Sequence, residues 1–280
     1  MTFIDAILNF AGLLLWVSWR SLSFDPLVKQ KPPALVSAVK RTESRFLSRW
    51  HFLAALVALL ALRGLVYWQI GSAVDWVPSL KLGAISISFR SDVPGRILLF
   101  SGLSFVLTLI VFYLWLLLLS LVNGRGADAD PVQKMIRLHL GIVDRWPRAV
   151  KLLLPGFGSA GIWLAVHPFL AQSGLIEGSS SARHGLEQAA LIGLGAYLGW
   201  KYLIGAVLLL WLLATYVYLG DHALWNFVLL TGRNLLLPLR WLPLRVGRVD
   251  LAPLLEIALV FIAAELVERG LTTIYGRLPI

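Results

Sequence analysis

The sequence predicts an all-α membrane protein of about six transmembrane helices, arranged as three hairpins joined by basic amphipathic elbows. Three observations carry that expectation. Apolar runs of about 20 residues, the length a helix needs to cross a bilayer, recur along the chain. Hydrophobic residues make up 58% of the sequence and charged ones 14%, with a mean hydropathy of +0.78, a balance that excludes an ordinary soluble domain. The net charge of +10 is segregated into polar segments between alternate runs. There is no cysteine, so a disulfide framework, a thiolate nucleophile and a thiolate metal site are all excluded.

In chain order, the first span covers Phe3–Trp19. It lacks the basic n-region and small-residue cleavage site of a signal peptide, and Trp16, Trp19 and Arg20 close it as an interface anchor. After the breakers Asp25-Pro26 and Pro32-Pro33, an amphipathic helix is expected from Ala34 to about Trp50. Its apolar Leu35, Val39, Phe46, Leu47 and Trp50 recur at helical spacing, with Lys40, Arg41, Arg45 and Arg49 mostly opposite, as in a helix lying in the membrane surface. The plainer alternative is a solvated linker. The second span runs His51–Ile70. Residues 71–96 form an outer segment in which LGAISISF alternates like a short strand or hairpin arm.

The third span, Ile97–Val122, ends in the loop signal NGRGADADP. A second basic amphipathic elbow follows, PVQKMIRLHLGIVDRWPRAVKLLLP, closed by Pro155. The fourth span starts near Phe157 and reaches Ile176, interrupted at His167-Pro168; EGSSSARHG is a polar outer loop. The fifth span extends from about Ala189 to Leu219 and the sixth from Leu251 to Gly270. Between the last two lies a third elbow, PLRWLPLRVGRVDLAP. Pro238, Pro243 and Pro253 stiffen it, Arg233, Arg240, Arg245 and Arg248 charge it, and Asp250 and Pro253 are expected to open the last helix.

Each unit thus reads as a span, a basic elbow with prolines and a second span. Trp16, Trp115 and Trp211 fall in the leading spans, while Arg63-Gly64-Leu65, Ser173-Gly174-Leu175 and Arg269-Gly270-Leu271 close the trailing ones. Residues 20–50, 123–151 and 220–250 carry seven, six and four Lys plus Arg, against three in 71–96, one in 177–188 and two after Glu268. That asymmetry places all three elbows in the cytoplasm and both termini outside.

The third elbow resembles the YggT family of small bacterial membrane proteins, which have chloroplast relatives. Pro238, Arg240, Pro243, Gly247, Asp250, Leu251 and Pro253 match the family's order; Ala252 departs from its usual serine, and no Asp-Pro precedes Pro238 closely. The resemblance is best over residues 200–271, with a weaker repeat in 97–176. It divides the chain into an N-terminal membrane hairpin (1–72), an outer loop (73–96), a first YggT-like hairpin (97–176), a second outer loop (177–188) and a second YggT-like hairpin (189–280). The N-terminal hairpin exceeds the two units of a family member. The resemblance implies a location in the bacterial inner membrane. It also implies roles ranging over osmotic tolerance, division functions, cofactor assembly of membrane complexes and nucleoid organisation.

Ionisable residues inside spans are costly and therefore candidate sites. Lys201 and Glu265 lie at similar depth near the outer ends of their spans and are expected either to pair or to leave Lys201 snorkelling outward. Arg63 and Asp5 are likewise placed to meet. Glu256 falls near the inner end of its span, within reach of elbow arginines. His167 lacks a second histidine at matching depth, which disfavours paired haem ligation; H-E-x-x-H, G-x-S-x-G and GxxxxGK[ST] are absent. Gly193, Gly195, Gly199 and Gly205 suit close helix packing. No catalytic residue, metal site or cofactor is expected. The docking candidates are Arg240, Arg245, Arg248, Asp250 and Pro253. Their expected partners are the bilayer, anionic lipid, other membrane subunits or a homo-oligomer, and not nucleic acid. A non-catalytic scaffold or accessory subunit follows, with a transport or channel component linked to ion or osmotic homeostasis as the alternative.

Overall fold

A computed structural model describes residues 2–23, 49–74, 77–82, 85–89, 93–124, 130–174, 176, 182–217, 220, 222–239, 245–246 and 249–276. Among these, nearly all are helical. The helices are α1 (Thr2–Ser23), α2 (Arg49–Val74), α3 (Pro94–Asn123), α4 (Pro131–Leu140), α5 (Arg148–Gln172), α6 (Ala182–Gly195), α7 (Trp200–Tyr216), α8 (Ala223–Leu235) and α9 (Ala252–Tyr275). Five stretches are long and apolar enough to cross a membrane: Phe3–Ser21, Trp50–Gly71, Pro94–Asn123, Arg148–Gln172 and Arg183–Tyr216. The chain is a multi-pass membrane protein. Helix α9, the expected sixth span, is 24 residues long but carries Glu256, Glu265, Glu268 and Arg269, and it is not among those five.

The first elbow's amphipathic helix lies outside the described residues, except that Arg49 and Trp50 open α2. The strand signal in the outer segment resolves into an antiparallel hairpin of β1 (Ser79–Leu82) and β2 (Ile85–Ser88), with Leu80 opposite Ile87. Alternation buries Ile87 and Phe89 and exposes Ser88 between them.

Sequence and structure differ most in the second elbow. Helix α4 begins where a cap dictates: Asp130, in extended conformation, accepts a 2.8 Å hydrogen bond from the Val132 amide, and Pro131 takes the first helical position. It ends at Gly141, whose positive φ of 57° suits glycine and whose amide bonds to the Arg137 carbonyl. The apolar face of α4 does not rest on lipid. Ile136 is fully buried with Leu116 and Phe227 in a core flanked by Phe112, Tyr113, Leu119, Val132 and Leu140, so α4 packs between α3 and α8. After a 3-10 turn over Gly141–Arg145, α5 begins at Arg148 rather than near Phe157, and Pro155 and Pro168 lie inside it. A proline within a helix removes one amide donor, and a membrane helix tolerates this where neighbours re-satisfy the backbone.

Further on, the expected fifth span begins earlier, at Ala182, which takes the end of the supposed outer loop into helix; a 3-10 turn over Ala196–Gly199 then breaks it into α6 and α7. In the third elbow, β3 (Arg245–Val246) pairs antiparallel with β4 (Val249–Asp250). Asp250 is therefore a strand residue opposite Arg245 and not a first-turn residue of α9. Pro253 is buried at the start of α9, where its missing amide leaves nothing unpaired.

Two compact units divide the chain: an N-terminal one (Met1–Pro78 with Phe89–Ile110) and a C-terminal one (Ser79–Ser88 with Val111–Ile280). The division between them falls within α3, because the first half of α3 packs with α1 and α2. In the C-terminal unit α5 packs on α6, and α7 on α8 and α9. The α5–α6 contact is close enough that a Cβ on Gly193 would sit 2.5 Å from the Gly156 carbonyl oxygen. Gly232 of α8 lies flat against Trp211 in the same way. Small residues at these points let helix backbones approach without a hydrophobic driving force. Gly199 works differently: its carbonyl accepts a 2.9 Å hydrogen bond from Trp115 Nε1.

Candidate functional site

The N-terminal unit is organised around Arg63. Its side chain, 1% exposed, comes from the middle of α2 and reaches both neighbouring helices. Nη2 donates to Asp5 Oδ1 at 2.8 Å and to Ser104 Oγ at 3.0 Å; Nη1 donates to Asn9 Oδ1 at 2.7 Å. Tyr67 OH donates to the same Asp5 oxygen at 2.7 Å, and Asn9 Nδ2 to Ser104 Oγ at 3.0 Å. Asp5 and Asn9 sit one helical turn apart on α1, as Arg63 and Tyr67 do on α2, so each pair shares a face. The guanidinium carbon lies 5.4 Å from the Tyr67 ring centre and 5.5 Å from that of Phe100, a cation–π arrangement that shields the charge from hydrocarbon. One positive and one negative charge are thus neutralised within three helices. Asp5 and Arg63 were placed at like depth by the sequence. Asn9, Tyr67 and Ser104 were not, although their i+4 spacing to Asp5 and Arg63 is a signal that finds the first two.

The second cluster closes the second elbow. Asp144, in the 3-10 turn, accepts from Ser120 of α3, lies 3.5 Å from Lys151 Nζ of α5 and pairs with Arg137 of α4 at 3.3 Å. Lys151, itself buried, donates to Ser120 Oγ at 2.7 Å. Two cations therefore share one carboxylate. Next to it, Asn123 donates to Thr231 Oγ1 at 2.9 Å and accepts from Asn234 at 3.2 Å, tying the end of α3 to α8. Sequence reasoning took these residues only as elbow charge, since nothing local indicates which of five cations in that elbow turns inward.

Lys201 has a carboxylate partner on α9, but it is Glu268 rather than Glu265: Nζ lies 3.0 Å from Glu268 Oε2. Glu265 instead accepts from Arg269 one turn along its own helix at 2.8 Å. The two carboxylates lie one turn apart on one side of α9, so the axial register of α9 against α7 decides between them. Gly205 sets that contact in part, since it faces Phe261 so closely that a Cβ would lie 2.9 Å from the ring. Among the described residues, the buried Oε2 of Glu256 has no hydrogen-bond partner. His167 is buried in α5 with its ring 5.5 Å from that of Trp163, edge to face; among the described residues His167 Nε2 and Trp163 Nε1 have no hydrogen-bond partner.

Of the docking candidates, Arg240 and Arg248 lie outside the described residues, and Arg245 and Asp250 are placed by backbone register alone, opposite one another across β3–β4. Among the described residues no three His, Asp or Glu side chains gather as a metal site. The arrangement is one of ion pairs that hold helices together. Comparison with family models, curated proteins and solved structures finds no match for the chain.

Proposed function

We propose that the protein is a non-catalytic integral membrane scaffold or accessory subunit of a membrane complex, of YggT-like type, in the bacterial inner membrane. In this reading the three elbows face the cytoplasm, both termini face outward, and the third elbow docks other membrane subunits. One observation carries it: Arg63, Lys151 and Lys201, three cations well inside the membrane-length helices or buried at their ends, each meet a carboxylate from a different element. Charges consumed in holding helices suit a static framework, whereas a conduction path needs polar groups left facing a lumen. The matched positions Pro238, Arg240, Pro243, Gly247, Asp250, Leu251 and Pro253 support the family reading, and within that stretch Arg245 stands opposite Asp250 in the β3–β4 pairing. A fixed arginine can read a partner's carboxylates in defined geometry, because the guanidinium fork is planar and bidentate.

A transport component is the second reading, favoured by the unpartnered His167 Nε2 and Trp163 Nε1 on one face of α5. The test is co-purification in mild detergent. Replacing Arg240, Arg245 and Arg248 together by lysine keeps the charge and removes the fork. Partners that dissociate while membrane levels stay normal support docking; unchanged recovery of every partner leaves the elbow as a topology signal and removes the proposal.

A further inference from the structure

The turn between α4 and α5 exposes apolar and basic side chains alternately. Segment 124–147 joins two membrane-length helices, α3 and α5, so it lies at a membrane face. Within it Ile142 is 76% and Trp146 37% exposed, and Arg145 and Arg148 beside them are exposed as well. An isoleucine presented so fully on a turn gains burial only if something apolar covers it, and a half-exposed tryptophan next to arginines is the composition of a headgroup-level anchor. The apolar surface continues up α5 through Val150, Leu153 and Phe157. Beneath the turn, Arg137 and Lys151 both reach the carboxylate of Asp144. Pro147 offers no side-chain cap to the first turn of α5, whose amides add a weak positive field.

We propose that this turn is an anionic phospholipid site, with the headgroup phosphate held between Arg145 and Arg148 and with Ile142 and Trp146 inserted among the acyl chains. It rests on the elbows facing a leaflet but not on the third elbow's docking role. The charge complements a phosphodiester, and guanidinium groups match its oxygens bidentately. Ile142 and Trp146 select the lipid over free phosphate, since only a lipid brings hydrocarbon to cover them.

The test is titration of the purified full chain in mild detergent with phosphatidylglycerol or phosphatidylcholine, with retained lipid read by native mass spectrometry. Phosphatidylglycerol is expected to be retained more tightly than phosphatidylcholine, and excess inorganic phosphate is expected not to displace it. Arg145→Gln with Arg148→Gln should weaken phosphatidylglycerol about thirty-fold, the factor two juxtamembrane charges supply near an anionic surface, and phosphatidylcholine less, because its choline cation offsets the charge of the same phosphodiester. Ile142→Ser with Trp146→Ser should weaken both lipids. Unchanged phosphatidylglycerol retention in the glutamine pair overturns the site, as does an equal loss from Arg183→Gln with Arg233→Gln, exposed arginines elsewhere. Should the glutamine pair not fold, the serine pair decides, and unchanged retention there overturns the site. Partner loss on changing Arg240, Arg245 and Arg248 is a separate readout, so either proposal can fail with the other intact.

Discussion

Replacing Arg63 by methionine keeps the apolar stem and removes the head group that joins three helices. The change deletes three hydrogen bonds, to Asp5, Asn9 and Ser104, and leaves the Asp5 carboxylate with the Tyr67 hydroxyl alone. Polar contacts within membranes contribute about 0.6 kcal/mol on average and about 1.7 at most, so these bonds together account for roughly 2–5 kcal/mol. An orphaned carboxylate adds to the loss. Asp5 is 18% exposed and near a helix end, so access to water limits that addition. The expected destabilisation is about 3–5 kcal/mol, the range for breaking a buried pair from one side. Adding Asp5→Asn removes the second charge and leaves amide and hydroxyl groups that can bond to one another, so the double variant should lose about 2 kcal/mol less than the sum of the singles. Unfolding by SDS in mixed micelles, followed by far-ultraviolet circular dichroism, measures all four corners of the cycle. An Arg63→Met protein within about 0.5 kcal/mol of the parent, or strictly additive losses, would refute the network as a stabilising unit.

Three further outcomes follow from distances in the C-terminal unit. Lys201→Met and Glu268→Gln should couple by about 0.5 kcal/mol, small because Glu268 is half exposed, whereas Lys201→Met and Glu265→Gln should be additive in the same unfolding assay. Gly193→Ala forces a methyl against the Gly156 carbonyl and should destabilise by about 1–3 kcal/mol; Gly161→Ala, with open space around it, should be tolerated, and equal behaviour of the two would contradict the close α5–α6 contact. Asp130→Ala removes the cap of α4 and should cost about 1 kcal/mol, visible as faster amide exchange in its first turn, with Asp130→Asn retaining most of the protection.

Composition and periodicity determined that this chain is a helical membrane protein, because a bilayer admits few other uses for apolar runs of that length. They also located the hairpin signal in LGAISISF and the helix-opening role of Pro253, both of which depend on residues adjacent in sequence. Where the outcome depended on the register between helices or on a distant neighbour, only the tertiary structure decided. The carboxylate partner of Lys201 is one turn beyond the one the sequence suggested, because the axial register of α9 against α7 chooses between Glu265 and Glu268, which share a face. The second elbow buries its apolar face in protein because Leu116 and Phe227, distant in sequence, reach Ile136 before lipid does. Pro155 reads as a stop by local rule, yet α5 continues through it, since one lost amide bond is a local cost that packing along the rest of the helix outweighs. Ser104 carried no signal of its own. It became part of a site only when folding brought it to Arg63, whose unmet donors in an apolar medium make every nearby oxygen a partner.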